Sequence, residues 1–203
     1  MLRYCSIGLD DGYFALEDKK IYGKTVLVGT IASVDREILD VLISFITVDG
    51  LDASSQAMQM IEKAIDRYGP YLEVVFLDGV TYAGFNIIDP LKLHNMLNIP
   101  VIVVFRHELN LEKVLSALRA HFVDWSYRYK VIEQTYRASY KIRSPIKGAK
   151  IRIAVIGTNA IKGIELFFRY TSIYPEPYCL RVADRIASSL GRALHKYDED
   201  RQR

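Results

Sequence analysis

A mixed α/β fold is predicted, a three-strand antiparallel meander continued by parallel strands with helices packed on the sheet, and three observations predict it. Three apolar runs, CSIGLDDG, LISFITVDG and LEVVFLDG, each drive a strand-like stretch into aspartate and then glycine. After Asp49 the apolar period becomes helical, at Ala57, Met60, Ile61 and Ala64. From there to the C-terminus, helical stretches alternate with short, almost wholly apolar runs of the kind buried on both faces of a sheet.

The elements follow in order. Tyr4 to Leu16 and Lys24 to Ser33 read as strands joined by a polar turn around Glu17 to Gly23. Glu37 to Val48, rich in branched side chains, is the third strand, after a short link through Asp35 and Arg36. Asp52, Ser54 or Ser55 can cap the first helix, which Gly69 and Pro70 stop. Leu72 to Leu77 is a buried strand, Asp89-Pro90 opens a helix to Leu97, and Ile99 to Phe105 is another buried strand. Glu108 to Phe122 is amphipathic. A basic, tyrosine-rich stretch follows and closes at Pro145 and Gly148. Lys150 to Ile156 reads as a strand and Ala160 to Tyr170 as a helix. Leu180 to Tyr197 is a final helix after the rigid Tyr174-Pro175-Glu176-Pro177 turn, and Asp198 to Arg203 are expected to fray. In a meander the first and third strands point the same way, and a right-handed crossover through the first helix makes the fourth parallel to the first. All three Asp-Gly ends then share one edge of a single domain spanning residues 1–203.

Half of the 203 residues are hydrophobic (50%) and a quarter charged (25%), enough for a large core in a soluble protein. No apolar run reaches the ~20 residues of a membrane span, and MLRYCSIGLDDG turns acidic too soon for a secretory signal, so a cytoplasmic protein with no membrane partner is expected. Cys5 and Cys179 make neither a disulfide framework nor a zinc cluster and read as reduced core thiols. A net charge of +3 does not by itself demand nucleic acid. The stretch from Arg128 to Arg152 is more pointed: Arg128, Lys130, Arg137, Lys141, Arg143, Lys147, Lys150 and Arg152 interleave with Tyr127, Tyr129, Tyr136 and Tyr140. Such residues neutralise phosphates and stack on unpaired bases, although a solvated helix with its tyrosines on the core has the same spacing.

Strand ends rich in aspartate point to a divalent metal. Neighbouring strands lie ~4.8 Å apart, so Asp78 and an aspartate of the first strand can share an ion. Asp10 and Asp11 face opposite ways, and only one can join. Asp49 is two strands away and must lean inward; Asp52 reads as a helix cap and is its rival. Each Asp-Gly pair alone is ordinary turn chemistry, but three at one edge are not. Arg106, with His107, follows a buried strand near the same edge and can hold a phosphate or charge developing on it. Gly157, Thr158 and Asn159 read as a helix cap, and His94, His121 and His195 have no metal-like spacing.

YPEPYCLRVADRIAS resembles the Pro-Glu-Pro, Arg, Ala-Asp or Ala-His signature of the endonuclease V family, a ribonuclease H-like fold. SIGLDDG and FLDGVTYAGFN resemble that family's two aspartate strands, and IPVIVVFR the strand that ends there in lysine. Through the Leu-Asp-Asp-Gly, Val-Asp-Gly-Leu-Asp and Gly-Phe-Asn-Ile-Ile-Asp segments, the chain is identified as a member of an uncharacterised, mainly archaeal family related to endonuclease V. The resemblance implies a Mg²⁺- or Mn²⁺-dependent nuclease acting on DNA or RNA, damaged or structured strands included. It implies Asp10 and Asp78 as central metal ligands, Asp184 and Asp49 completing the carboxylates, and Arg106 in the place of the lysine. The endonuclease's Pro-Tyr-Ile-Pro wedge has no counterpart here, and Thr81 to Asn86 replace its His-Pro-Arg segment. These departures motivate a competing expectation, a non-catalytic nucleic-acid-binding module that keeps the fold.

Overall fold

The three leading runs become β1 (Cys5–Asp11), β2 (Lys24–Ser33) and β3 (Ile38–Thr47), an antiparallel meander pairing Ile7 with Ile31 and Val28 with Ile43. The computed structural model describes residues 3–16, 18, 23–144, 146 and 148–202, with 198–202 described by backbone only. Most of the turn expected at Glu17 to Gly23 therefore lies outside the described residues. The first strand ends at Asp11 rather than Leu16, although the Gly12 N–H still donates to the Val26 carbonyl at 2.9 Å.

Helix α1 (Ala53–Tyr68) carries the chain to β4 (Leu72–Asp78), which lies beside β1 and parallel to it. A short antiparallel pair, β5 (Thr81–Tyr82) with β6 (Asn86–Ile87), precedes α2 (Pro90–Leu97). Asp89 caps α2 by accepting from the Leu91 and Lys92 N–H groups. Strand β7 (Val101–Phe105) adds parallel to β4. After α3 (Leu111–His121) and α4 (Trp125–Arg137) the hairpin β8 (Tyr140–Arg143) and β9 (Lys150–Ile156) completes the sheet, with β9 antiparallel to β7. The seven-stranded order is β3-β2-β1-β4-β7-β9-β8. Helices α5 (Ala160–Tyr170) and α6 (Tyr178–Gln202) follow.

Strand parity explains the unbroken apolar runs of β4 and β7, since both faces are covered. Ile7, Leu9, Val75, Leu77, Val101 and Val103 pack with Ala57, Met60 and Ile61 of α1. Val74, Phe76, Ile102 and Val104 pack with Leu166 and Phe167 of α5 and Leu180 of α6. Each such fully buried side chain contributes roughly 1.5–3 kcal/mol of transfer free energy. Among the described residues no helix is long and apolar enough to cross a membrane.

Two further sequence expectations differ from the structure. The basic stretch is not one segment: α4 stops after Arg137, and the alternation Tyr140-Lys141-Ile142-Arg143 then forms an edge strand with Tyr140 and Ile142 on the core. At the C-terminus α6 continues through Gln202, because no glycine or proline interrupts the polar tail that was expected to fray.

Glycines set how closely α6 approaches the sheet. A Cβ on Gly8 would lie 2.5 Å from the Leu180 backbone nitrogen, and one on Gly191 would lie 2.3 Å from that of Tyr13. Backbone cannot yield as a side chain can. Gly8→Ala is therefore expected to cost about 3 kcal/mol, the upper end of overpacking penalties. Thermal unfolding checks this; an unchanged Tm would mean that α6 does not rest on β1 at this point.

Candidate active site at the strand ends

The parity that buries Ile7 and Leu9 toward α1 turns Asp10 toward α6. Likewise Val75 and Leu77 place Asp78 on the α6 side, and Val103 and Phe105 place Arg106 there, just beyond β7. Parallel pairing of Leu9 with Leu77 and of Asp78 with Val104 aligns the three strand ends. From above, α6 supplies Asp184. The Arg106 Nη2 lies 3.0 Å from Asp78 Oδ2 and 3.7 Å from Asp10 Oδ2, and its Nη1 lies 3.8 Å from Asp184 Oδ2.

These groups are poorly solvated. Asp10 is only 7% exposed, and burial, followed by repulsion from Asp78 and Asp11, pushes its carboxyl well above the usual carboxylate range. Burial raises Asp78 too, against the pull of Arg106 and with the help of Asp184 and Glu176. Although 3.0 Å from Asp78, Arg106 Nη2 is buried and makes no hydrogen bond, so the contact is coulombic and unaligned.

Asp11 faces the other side, where its Oδ2 accepts the Ala83 N–H at 2.8 Å; burial pushes it up to about 7 despite that bond. Asp49 adopts φ 57° in the turn after β3, donates its N–H to Ala83 O and accepts the Phe85 N–H at 2.8 Å. The structure thus brings together Asp10, Asp78, Arg106 and Asp184, whereas Asp49 binds the backbone of the β5–β6 loop. Asp52 stands at the N-cap position of α1 but makes no cap bond with its side chain. It reaches back to accept from Thr47 N, Thr47 Oγ1 and Asn86 Nδ2, which corrects its reading as a helix cap.

Two participants escaped the sequence reading. Glu176, 7% exposed, adds its charge to Asp78 and Arg106, and Arg181 bridges Glu176 at 3.4 Å and Asp184 at 3.3 Å while lying 5.0 Å from the Tyr174 ring centroid. Both lie in YPEPYCLRVADRIAS, the segment that carries the resemblance, where a glutamate between two prolines reads as a turn. The buried Tyr82 hydroxyl donates to Leu9 O at 3.3 Å; burial and the neighbouring Asp10, Asp78 and Asp11 push it well up, so it stays protonated.

The basic stretch has divided roles. Arg128 is buried and donates to the Gly50 and Phe85 carbonyls, while Arg152 donates to Ser139 and lies 4.8 Å from the Tyr136 ring centroid. These two serve packing, so the stretch as a whole is not a solvent-facing nucleic-acid surface. Asn159 caps α5 by accepting the Lys162 N–H, in line with its reading as a cap.

Among the described residues no group of three or more His, Cys, Asp and Glu side chains stands at metal-holding spacing. The donor chemistry nevertheless fits a hard divalent cation. Asp10, Asp78 and Asp184 offer only oxygens, burial and then neighbouring carboxylates raise Asp10 and Asp78, and the Arg106 guanidinium between them lacks hydrogen-bond alignment.

The family model described as Endonuclease dU matches residues 3–191. A UPF0215 protein of Thermococcus gammatolerans is 37% identical over 186 residues, covering 91% of this chain and 90% of its own. A crystal structure of a protein of unknown function from Archaeoglobus fulgidus superposes with a TM-score of 0.75 at 24% identity, over 92% of this chain and 98% of that one. Endonuclease V of Ciona intestinalis, in complex with DNA containing an inosine, superposes at 0.58 with 13% identity, over 96% and 87%. At these identities the structures establish a shared ribonuclease H-like fold.

Proposed function

The chain belongs to the endonuclease dU family, related to endonuclease V, and from that premise we propose that it is a divalent-metal-dependent endonuclease hydrolysing phosphodiester bonds in DNA or RNA. Deoxyuridine-bearing strands are the first substrate to try, because the family's name points there. One observation carries the reading. Four carboxylates (Asp10, Asp78, Glu176 and Asp184) stand around two guanidiniums (Arg106 and Arg181), an excess of negative charge that repels a phosphodiester until cations offset it.

Mg²⁺ or Mn²⁺ would be held by Asp10 and Asp78, with Asp184 from α6. When bound it would supply an activated water and neutralise charge on the phosphate and the leaving oxygen. Arg106 would contact the scissile phosphate, and Arg181, held by Glu176, would keep Asp184 oriented. Asp49 would act through the loop it fixes. Asp11, on the opposite face, would brace that same loop through Ala83.

The test is cleavage of oligonucleotides containing deoxyuridine, inosine or an abasic site, together with flap and single-stranded substrates. Scission that needs Mg²⁺ or Mn²⁺ and stops with EDTA is expected. Pure protein that cleaves none of them with either metal sinks the proposal. The competing reading, a binding module without chemistry, is favoured by Arg106 itself, which already lies among the three carboxylates. Salt-sensitive binding that persists in EDTA without scission would select it.

A further inference from the structure

The β8–β9 hairpin carries a charge arrangement that folding alone does not favour. Its register sets Lys141 directly opposite Arg152 and Arg143 directly opposite Lys150, and alternation puts all four on the same face. Like charges directly opposite destabilise a strand pair. Two of the four are compensated: Lys141 Nζ lies 2.5 Å from Glu108 Oε1, and Arg152 donates to Ser139. Arg143 and Lys150 are exposed and have no carboxylate partner among the described residues. Charges on an edge strand discourage edge-to-edge pairing, but Lys141 and Arg143 suffice for that, and a second cation pair on β9 adds nothing to it.

The hairpin's position supplies the missing reason. Strand β9 starts, and β8 ends, at the edge of the sheet where β7 delivers Arg106. Between them lies a cleft of about 90 Å³ lined by Arg106, His107, Glu108, Lys141, Lys150 and Arg152, with Phe105 and Ile151 supplying apolar surface. That is room for about three waters at ~30 Å³ each, the scale of one phosphate group with a solvating water. The four hairpin cations share the face of Phe105, opposite the face on which Arg106 meets the carboxylates, and the two sets adjoin at the end of β7, where Arg106 also lines the cleft.

We propose that this cleft and the cationic face of the hairpin bind the phosphodiester backbone of a nucleic-acid strand that passes round the end of β7 from the phosphate at Arg106, with Arg143 and Lys150 each neutralising one phosphate on the far face of the sheet. The inference rests on the nuclease reading for the identity of the ligand but narrows it. The docking surface is the β8–β9 hairpin and His107, and it excludes the buried Arg128 and the Glu133-paired Arg137 of α4.

The test is binding of a labelled duplex by the full chain, with Ca²⁺ in place of Mg²⁺, across a salt series. The double variant Arg143→Gln, Lys150→Gln is expected to raise Kd about tenfold at ~0.1 M salt. It should also reduce the slope of log K against log salt by about 1.8, the release expected for two phosphate contacts. A control of equal charge change on the helices, Lys63→Gln with Lys92→Gln, should keep the parent slope. An unchanged slope in the hairpin variant, an equal fall in the control, or a parent protein that binds no nucleic acid overturns the inference. A parent that binds through the hairpin yet cleaves nothing overturns the nuclease reading alone.

Discussion

Asp10→Asn is expected to lose at least about a hundredfold in metal-dependent cleavage and yet to melt above the parent protein at pH 8 without metal. Loss of even an outer partner of a metal ligand typically costs 10–100-fold, so removal of a direct ligand costs more. The stability gain follows from the environment of the side chain. Asp10 is 7% exposed, repelled by Asp78 and Asp11, and offset by an unaligned guanidinium and one backbone hydrogen bond. Asparagine keeps the shape, keeps an oxygen for the Asp11 N–H that Asp10 Oδ1 now accepts at 2.9 Å, and removes the charge.

The sign with pH can be stated. Asp10 and Asp78 are raised in the fold, and Asp11 rises from 3.8 to about 7. The unfolded chain releases these protons near pH 4, while the native state holds them to higher pH. Native protein therefore binds more protons across that window, and stability falls as pH rises through it, from about 4 to 7 for Asp11. The advantage of Asp10→Asn should vanish near pH 4 and grow upward from there. Saturating Mg²⁺ or Mn²⁺ should reverse the ranking, since a ligand at a hundred times its Kd stabilises the parent by about 2.7 kcal/mol. Parallel melting curves at every pH, or retained cleavage, would remove Asp10 from the metal site.

How much of this was legible in the sequence depends on the range of the interaction. Period and apolar runs located the meander, the parallel strands and the exact bounds of α2 and α5, because those signals are local. The same alternation foretold that only one of Asp10 and Asp11 could face Asp78. It could not say which, because the deciding contact is α6, more than 160 residues away in the chain. Arg106 was legible from the buried strand it follows, whereas Asp184 was found through resemblance rather than spacing. Glu176 went unnoticed because a glutamate between two prolines reads as a turn until the sheet beneath it is known. Gly84 to Asp89 carried part of the family resemblance without showing what it does. In the structure Asn86 is fully buried, donates to Thr47 O and Asp52 Oδ1, and accepts the Ala53 N–H, while Ser54 Oγ donates to Ile87 O and accepts the Asp89 N–H. That segment binds α1 to the β5–β6 loop. Its chemistry is structural.

Arg128→Ala is expected to be the most destabilising single change away from the carboxylates, by about 3–5 kcal/mol, the range for breaking a buried charged pair. The Arg128 side chain is 5% exposed; its Nε lies 2.9 Å from Asp124 Oδ1, and its Nη1 donates to Gly50 O at 3.0 Å and Phe85 O at 2.6 Å. Its guanidinium also lies 4.3 Å from the Phe122 ring centroid. Truncation strips all of these at once and leaves two carbonyls without their donor, each worth ~1–3 kcal/mol where water cannot reach. Lysine cannot restore the loss, because a single ammonium lacks the planar fork that serves Asp124 and the two carbonyls together. The damage should also spread to the site. Gly50 follows Asp49, Phe85 donates its N–H to Asp49, and Ala83 holds Asp11, so Arg128 fastens the loop that backs the carboxylates. Denaturant unfolding of Arg128→Ala and Arg128→Lys measures this, with both variants expected well below the parent. A loss under about 1 kcal/mol would show that water replaces the guanidinium and that the loop is held by Asn86 and Asp49 alone.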